Sequence, residues 1–361
     1  MKVGLIDIDY NGSFPNIPLM KLSAYHKQQG DTVEIYNALE EYDWVYVSKV
    51  FSWSPDYEYH INARVVVKGG SGWYIRIVDG KEVYDDTAGY MCTVSDYMHP
   101  IKNIYPYLVR ENKQYVTYRR SLPSYIEHIY PDYSLYPKLT KDTAYGFLTR
   151  GCPRGCTFCH VAAKEGRKSL KVANLDEFWR GQGNIVLCDP NILACKDWKE
   201  LLQQLIDSGA QVDFNQGLDA RMMTVEKAKM LGEIRIKEIH FAWDRYEDRD
   251  IILKGLQTYS MYTSRQPHGH HSIVYTLVNY DTTIEQDLER IYTLRDLGYW
   301  AYVMIYDKEH CDPIYRRLQR WCNNRVIFGS CPRFDDYQKE QADEDIIVLP
   351  DGRKLIQTTL F

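Results

Sequence analysis

Short apolar runs alternate with helix-period segments along most of the chain. "KVGLIDI" opens as a buried strand, and after the loop "DYNGSFPNIP" the stretch "LMKLSAYHKQQG" spaces its apolar residues at helical intervals and ends on Gly30. "TVEIY", "WVYVSKVF" and "RVVVKGG" follow as further β-branched strands. Strand, helix and strand in alternation predict a parallel sheet with helices on its faces, spanning residues 1–75. Between residues 76 and 141 the periodicity breaks. "YVTYRRSLPSYIEHIYPDYSLYPKLTKD" spaces Pro and Tyr too irregularly for a long helix or a central strand. This predicts a linker wrapped over the surface, its tyrosine rings packed and their hydroxyls wet. A stacking platform for a base or sugar is the functional alternative.

From Tyr145 the alternation resumes. The strands "AYGFLTR", "NIVLCD", "QVDFNQ", "IKEIHFAW", "SIVYTLVN", "WAYVMIYD" and "RVIFGS" are separated by helical patterns such as "DWKELLQQLIDSG" and "TIEQDLERIYTLRDLG". Six or seven βα units fall short of the eight of a closed barrel. The predicted fold is therefore α/β: a partial (β/α)6-7 TIM-type barrel over residues 142–335, preceded by a small Rossmann-like parallel-sheet domain. Residues 336–361, with "EDIIVLPDGRKLIQTTLF", read as a hairpin around Asp351-Gly352.

At 361 residues the chain suffices for two domains, and 45% apolar with 26% charged residues excludes a disordered or fibrous chain. The net charge of −5 provides no global basic field, so nucleic acid is not indicated, and the pairs Arg119-Arg120 and Arg316-Arg317 read as solvated surface. No apolar run reaches the roughly 18 residues of a membrane span. "MKVGLIDIDY" enters a strand directly, so no membrane association and a cytoplasmic location are expected. Nine cysteines, an odd number and mostly scattered, read as reduced thiols with three reserved for a metal.

Those three lie in "TRGCPRGCTFCHV", where Cys152, Cys156 and Cys159 follow the first strand of the second series. Closely spaced thiolates are soft ligands for zinc or an iron-sulfur cluster, and Gly151 and Gly155 let the chain wrap tightly around them. A closed zinc site needs a fourth ligand, and His160, adjacent to Cys159, is too close in sequence for the usual ligand spacing. Three ligands on a four-iron cluster leave one iron open to a substrate. Polar residues close the other strands: Asp189 in "IVLCDPN", Gln216, Asp219 and Arg221 in "DFNQGLDAR", then Asp244, Asn279 and Asp307. Gly217-Leu218-Asp219 also reads as a strand exit and helix cap, as does each of the last three. Together they suggest a polar pocket at the carboxyl ends of the strands.

"GCPRGCTFCHV" after a strand, opening a βα series, resembles the cluster loop of the radical S-adenosylmethionine superfamily, down to the aromatic Phe158 before the last cysteine. The resemblance covers residues 143–331. It implies a 4Fe-4S cluster on Cys152, Cys156 and Cys159 whose open iron binds the amino and carboxylate groups of S-adenosylmethionine. Cleavage of that cosubstrate produces a 5'-deoxyadenosyl radical that abstracts hydrogen from a substrate, here unknown. It also implies an electron donor of flavodoxin or ferredoxin type. Asp189 stands where the family has a Gly-Gly-Glu motif for the cosubstrate ammonium, though the glycines are missing. Gln216, Asp219 and Arg221 are placed against the ribose and the methionine carboxylate, a match for a guanidinium. Phe158 and Asn279 complete the expected cofactor-binding set.

The amino-terminal unit is similar in domain order to the cobalamin-binding subclass, which includes radical methyltransferases. Its loop "DIDYNGSFPN" has Asp9 and Gly12 but lacks the cobalt-ligating histidine, while "KGGSG" at 68–72 resembles a turn that admits a nucleotide tail. A domain that only shapes the substrate pocket is the other reading. The methylthiotransferase layout needs three cysteines in the first domain, where this chain has Cys92 alone. A non-catalytic protein holding zinc or a sensing cluster is the contrasting class. Cys188, Cys195, Cys311, Cys322 and Cys331 read as buried thiols rather than an auxiliary cluster, and "HGHH" at 268–271 as a solvated loop rather than a metal site.

Overall fold

The computed structural model describes residues 1–78, 81–84, 109–111, 114–119, 121–263, 267, 269–337, 346–348 and 354–356. The chain is mixed α/β with parallel sheets and divides into two compact units, Met1–Leu218 with Glu226–Lys237, and Asp219–Val225 with Glu238–Phe361. Cys92, His268 and the turn at Asp351-Gly352 lie outside the described residues. No helix among the described residues is long and apolar enough to cross a membrane.

In the first unit, β1 (Lys2–Asp7) leads into α1 (Ile17–Gln28), then β2 (Thr32–Ile35), β3 (Tyr42–Ser48) and β4 (Ala63–Gly69). A hairpin follows, β5 (Ile75–Val78) with β6 (Lys81–Tyr84), then a second, β7 (Val109–Glu111) with β8 (Gln114–Arg119). The main sheet has the order β2-β1-β3-β4-β8-β7, parallel except for β7. It thus extends past residue 75, where the sequence pattern ends: β8 adds in parallel beside β4, Val65 opposite Tyr115. Alternate side chains fill both faces, as a parallel sheet covered on two sides requires. Val3, Leu5, Tyr46, Val65 and Val67 face one way, and Ile6, Val45, Val47 and Val66 the other.

Helix α1 is capped by Asn16, whose side chain accepts from Leu19 N at 3.2 Å, and Pro18 suits its first turn. Its apolar residues point two ways. Leu19, Leu22 and Tyr25 pack on the first sheet, whereas Ile17 and Met20 join Tyr136, Tyr145 and Cys188. Those partners belong to a second parallel sheet, β14-β13-β12-β9, and its approach. The approach contains α2 (Ser124–Glu127) and α3 (Pro137–Thr140), and leads to β9 (Thr143–Gly146) and the short β10 (Thr149–Arg150). After α4 (Val161–Glu165) and β11 (Leu170–Lys171) come β12 (Asn184–Leu187), α5 (Trp198–Ser208), β13 (Gln211–Phe214), α6 (Val225–Glu233) and β14 (Arg235–Ile236). The tyrosines of the approach are tied down by their hydroxyls rather than left wet. Tyr136 donates to Asp7 at 2.7 Å and Tyr133 to the Phe178 carbonyl at 2.6 Å.

The second unit carries β15 (Ile239–Ala242), α7 (Arg249–Tyr262), β16 (Gly269–Val278), α8 (Ile284–Asp296) and β17 (Tyr299–Ile305) as a three-stranded parallel sheet with helices between its strands. Helix α9 (Pro313–Asn323) and α10 (Arg325–Ser330) follow, and β18 (Ile346–Val348) pairs antiparallel with β19 (Lys354–Ile356). Arg325–Ser330 is helical, where β-branched content suggested a strand, because Asn324 caps both Val326 N and Ile327 N.

Met20 is fully buried between the two sheets of the first unit. Met20→Ala should therefore lower unfolding stability by about 2–5 kcal/mol. Urea denaturation checks this, and an unchanged midpoint would show that α1 is not a shared core element.

Candidate metal centre

The cysteine segment is an excursion from a two-rung ladder. Thr149 pairs with Lys171 and Arg150 with Leu170, so the chain leaves and returns through β10 and β11. Gly151 (φ +84°) makes the exit possible, since a Cβ there would stand 2.2 Å from the Lys168 carbonyl. Cys152 N donates to Gly166 O at 3.1 Å across the neck. The Glu165 carboxylate closes it, accepting Gly151 N at 3.1 Å and Arg150 Nη1 at 3.1 Å. Arg150 continues to Glu127 at 3.3 Å, and Glu127 meets Lys21 of α1 at 3.2 Å. Burial opposes ionisation of Glu127, yet Lys21 and Arg150 hold it below the usual carboxylate range. An unbroken run of ion pairs thus links α1 to the root of the hairpin.

Asp189 secures the other side of that root. It is buried, and its carboxylate accepts Leu148 N at 3.1 Å, Thr149 Oγ1 at 2.7 Å and Thr149 N. Both oxygens are engaged by the hairpin root, which is a different task from receiving a cosubstrate ammonium. Burial pushes Asp189 up to about 6, against the hydrogen bonds from Thr149 and Leu148. Two residues on, Asn191 is 2% exposed and its Nδ2 lies 3.7 Å from Cys152 Sγ, within reach of an N–H···S hydrogen bond. Its own carbonyl accepts Ser169 Oγ at 2.8 Å, which seats it. Sequence reading passed over both Asn191 and Glu165. The one available signal was a buried-type strand followed by two polar residues around a proline, "CDPN".

Cys152 and Cys156 are half-buried and Cys159 is exposed, with the half-buried Phe158 beside it. His160 sits at the start of α4, where its carbonyl accepts Lys164 N at 2.9 Å. Among the described residues no three His, Cys, Asp or Glu side chains converge as a metal site, these thiols included. Their chemistry nevertheless fits a thiophilic centre. From Gly151 to Gly166 the sole acid is Glu165, already engaged by Arg150 and Gly151, so the excursion offers sulfur with no competing carboxylate.

Gln216 belongs to the same unit and lies exposed in the turn after β13, where Gly217 N returns to Phe214 O at 3.0 Å. Asp219, Arg221 and Asn279 belong to the second unit. Asp219 accepts Arg221 N at 3.1 Å and Arg221 Nε at 2.8 Å, while Arg221 Nη1 reaches Asp248 at 2.7 Å. The capping role and the ion pair thus coexist on one carboxylate. Asn279 (φ +61°) donates to the Tyr306 carbonyl at 3.0 Å, joining the ends of β16 and β17. Asp307 (φ +48°) accepts from His310 at 2.8 Å. Arg290, fully buried and paired with Asp287, donates to the Trp243 carbonyl at 2.6 Å and the Leu277 carbonyl at 2.6 Å, tying β15 to β16. Burial pushes Asp244 up to about 6, opposed by Arg221 and Arg290.

Cys188, Cys195, Cys322 and Cys331 are buried, and Cys311 is half-buried. Cys322 donates to the Ala301 carbonyl at 3.0 Å and Cys331 to the Arg333 carbonyl at 3.3 Å, the behaviour of packed thiols. In "HGHH", Gly269 already begins β16 and His271 is exposed. No family model matches the chain, and no curated protein does.

The raised pKa of Asp189 has a consequence for stability. Its protonated form is favoured by folding, so its contribution is complete below about 3.8 and is lost as pH rises through about 6. Between pH 4 and 7 the wild type should lose up to about 3 kcal/mol more stability than Asp189→Asn. Urea unfolding at stepped pH measures this, and parallel curves for the two proteins would contradict it.

Proposed function

We propose that this chain is a radical S-adenosylmethionine enzyme acting on a substrate yet to be identified. The observation that carries the reading is the Cys152, Cys156, Cys159 hairpin, with sulfur as its available donor, leaving the carboxyl end of the first strand in a series of parallel βα units. A 4Fe-4S cluster on those thiols would supply the electron that cleaves S-adenosylmethionine to methionine and a 5'-deoxyadenosyl radical, which takes a hydrogen atom from the substrate.

The residues around the hairpin have defined tasks in this reading. Asp189 and Glu165 fix its two roots through the Leu148, Thr149 and Gly151 amides. Asn191 directs an amide N–H at Cys152 Sγ, which favours the thiolate over the thiol. Arg221 carries a planar fork suited to a carboxylate and engages Asp219 and Asp248, so a bound cosubstrate carboxylate would exchange with one of them.

The reading also includes the partial barrel. β14 is hydrogen-bonded to β13 and β15 to β16, with only Lys237 and Glu238 between β14 and β15. We take Arg235 to Ala242 as one strand whose two halves serve successive arcs, which makes six strands in sequence order. A corrinoid is left out. Asn16 bonds Asp7 at 3.1 Å and Ser48 at 2.8 Å where β1 and β3 end, and Gly70 and Gly72 make room for the Lys49 and Phe51 backbone rather than for a ligand.

Anaerobic reconstitution with iron and sulfide, followed by dithionite and S-adenosylmethionine, should form 5'-deoxyadenosine. Cys156→Ala should lower its formation by about 100-fold or more. Chromatography decides it: a reconstituted wild type that forms none, or a variant that forms as much, would overturn the reading. Zinc without iron in the purified protein would favour a non-catalytic metal-binding role.

A further inference from the structure

The charge of the cysteine hairpin runs against that of the chain. Between Thr149 and Lys171 stand six Lys or Arg and one acid, Glu165, a segment charge of +5 in a chain of net charge −5. The cations divide by position. Those at the root are compensated: Arg150 by Glu127 and Glu165, and Lys171 by Glu200 at 2.6 Å. Those further out, Arg154, Arg167 and Lys168, are exposed, and neither Arg167 nor Lys168 forms an ion pair among the described residues. The Arg167 guanidinium lies across the hairpin against Gly155, with Cζ 3.1 Å from where a Cβ would stand, so its charge sits beside the Cys152 to Cys156 segment. The exposed Cys159 lies in the same excursion. A surface that is positive and carries an accessible sulfur suits a negatively charged partner that exchanges electrons, and the complementary charge would steer its approach.

We propose that the outer face of this hairpin, with Arg154, Arg167 and Lys168, is the docking surface for a small acidic one-electron carrier protein. The proposal rests on the cysteines holding a redox-active cluster. One electron leaves the carrier, which is oxidised by one unit, and enters the cluster, which is reduced by one unit; no proton or bond is exchanged. An anionic nucleic acid would find the same charges. The compensated root and the negative remainder of the chain leave only a small positive area, which favours a compact protein over an extended polymer.

The test uses the reconstituted full chain under anaerobic conditions and flavodoxin hydroquinone as donor, with cluster bleaching followed by stopped flow. Photoreduced deazaflavin, small and uncharged, serves as a donor that needs no docking surface. At low salt, Arg167→Glu/Lys168→Glu should reduce the second-order rate with flavodoxin by about tenfold or more, while bleaching by deazaflavin stays equal. The wild-type rate should fall toward that of the variant as NaCl is raised, because screening removes the same attraction. Lys168→Glu alone, at a residue without an ion pair, should produce a partial loss. Equal flavodoxin rates in wild type and both variants would overturn the docking surface and leave the cluster reading intact. A wild type that takes up no reducible cluster would overturn both. Competition for the hairpin by a labelled single-stranded DNA that binds more tightly than flavodoxin would assign the surface to nucleic acid instead.

Discussion

The arrangement around the cysteines depends on one buried carboxylate. Asp189 gathers two backbone amides and a hydroxyl at the point where the chain stops being a sheet strand and becomes the root of the excursion. Those amides leave the ladder there, and without an acceptor they would be buried and unsatisfied, at a cost of about 1–3 kcal/mol each. Burying the acid is itself unfavourable, which is visible in its raised pKa. The compromise fixes the direction in which the hairpin departs, and through Asn191, two residues further on, it also places an amide against the first thiol.

The amino-terminal sheet contributes to this site as a brace. α1 presents Leu19 and Leu22 to one sheet and Ile17 and Met20 to the other, so the two sheets of the first unit share one core helix. The ion pairs from Lys21 through Glu127 and Arg150 to Glu165 run from that same helix to the hairpin neck. Packing sets the position and the charges set the local orientation. The polar knot of Asp7, Asn16, Ser48 and Tyr136 occupies the carboxyl end of β1 and β3, where an open parallel sheet often binds a ligand. In this chain that position is used for internal bonding.

The legible part of the molecule is the part written in local patterns. β-branched runs located β1, β3, β4, β12, β13, β16 and β17, and the spacing of three cysteines marked the excursion. Gly151, singled out for tight wrapping, does occupy a left-handed position against the Lys168 carbonyl. What stayed hidden was long-range. β8 looked like surface wrap because its pairing partner, β4, lies tens of residues earlier. Asp189 was noticed as a polar strand end, but its partners Leu148 and Thr149 sit forty residues upstream, so the choice between anchoring and ligand binding could not be made from spacing. Arg325–Ser330 went the other way, since a single capping asparagine outweighed the β-branched content of a short segment. In the second unit, Asn279 and Asp307 carried polar strand-end signals, whereas Arg290, which ties those ends together, looked like any charged residue on a helix.

The central claim is that three thiols on a pinned hairpin hold a four-iron cluster with one iron open to a cosubstrate. The most direct test is electron paramagnetic resonance of the reconstituted, dithionite-reduced protein with and without S-adenosylmethionine. The account predicts a reduced 4Fe-4S signal in the wild type, absent from Cys156→Ala, whose g values shift when the cosubstrate is added. A signal indifferent to S-adenosylmethionine, or a protein that retains zinc and takes up no iron, would contradict it.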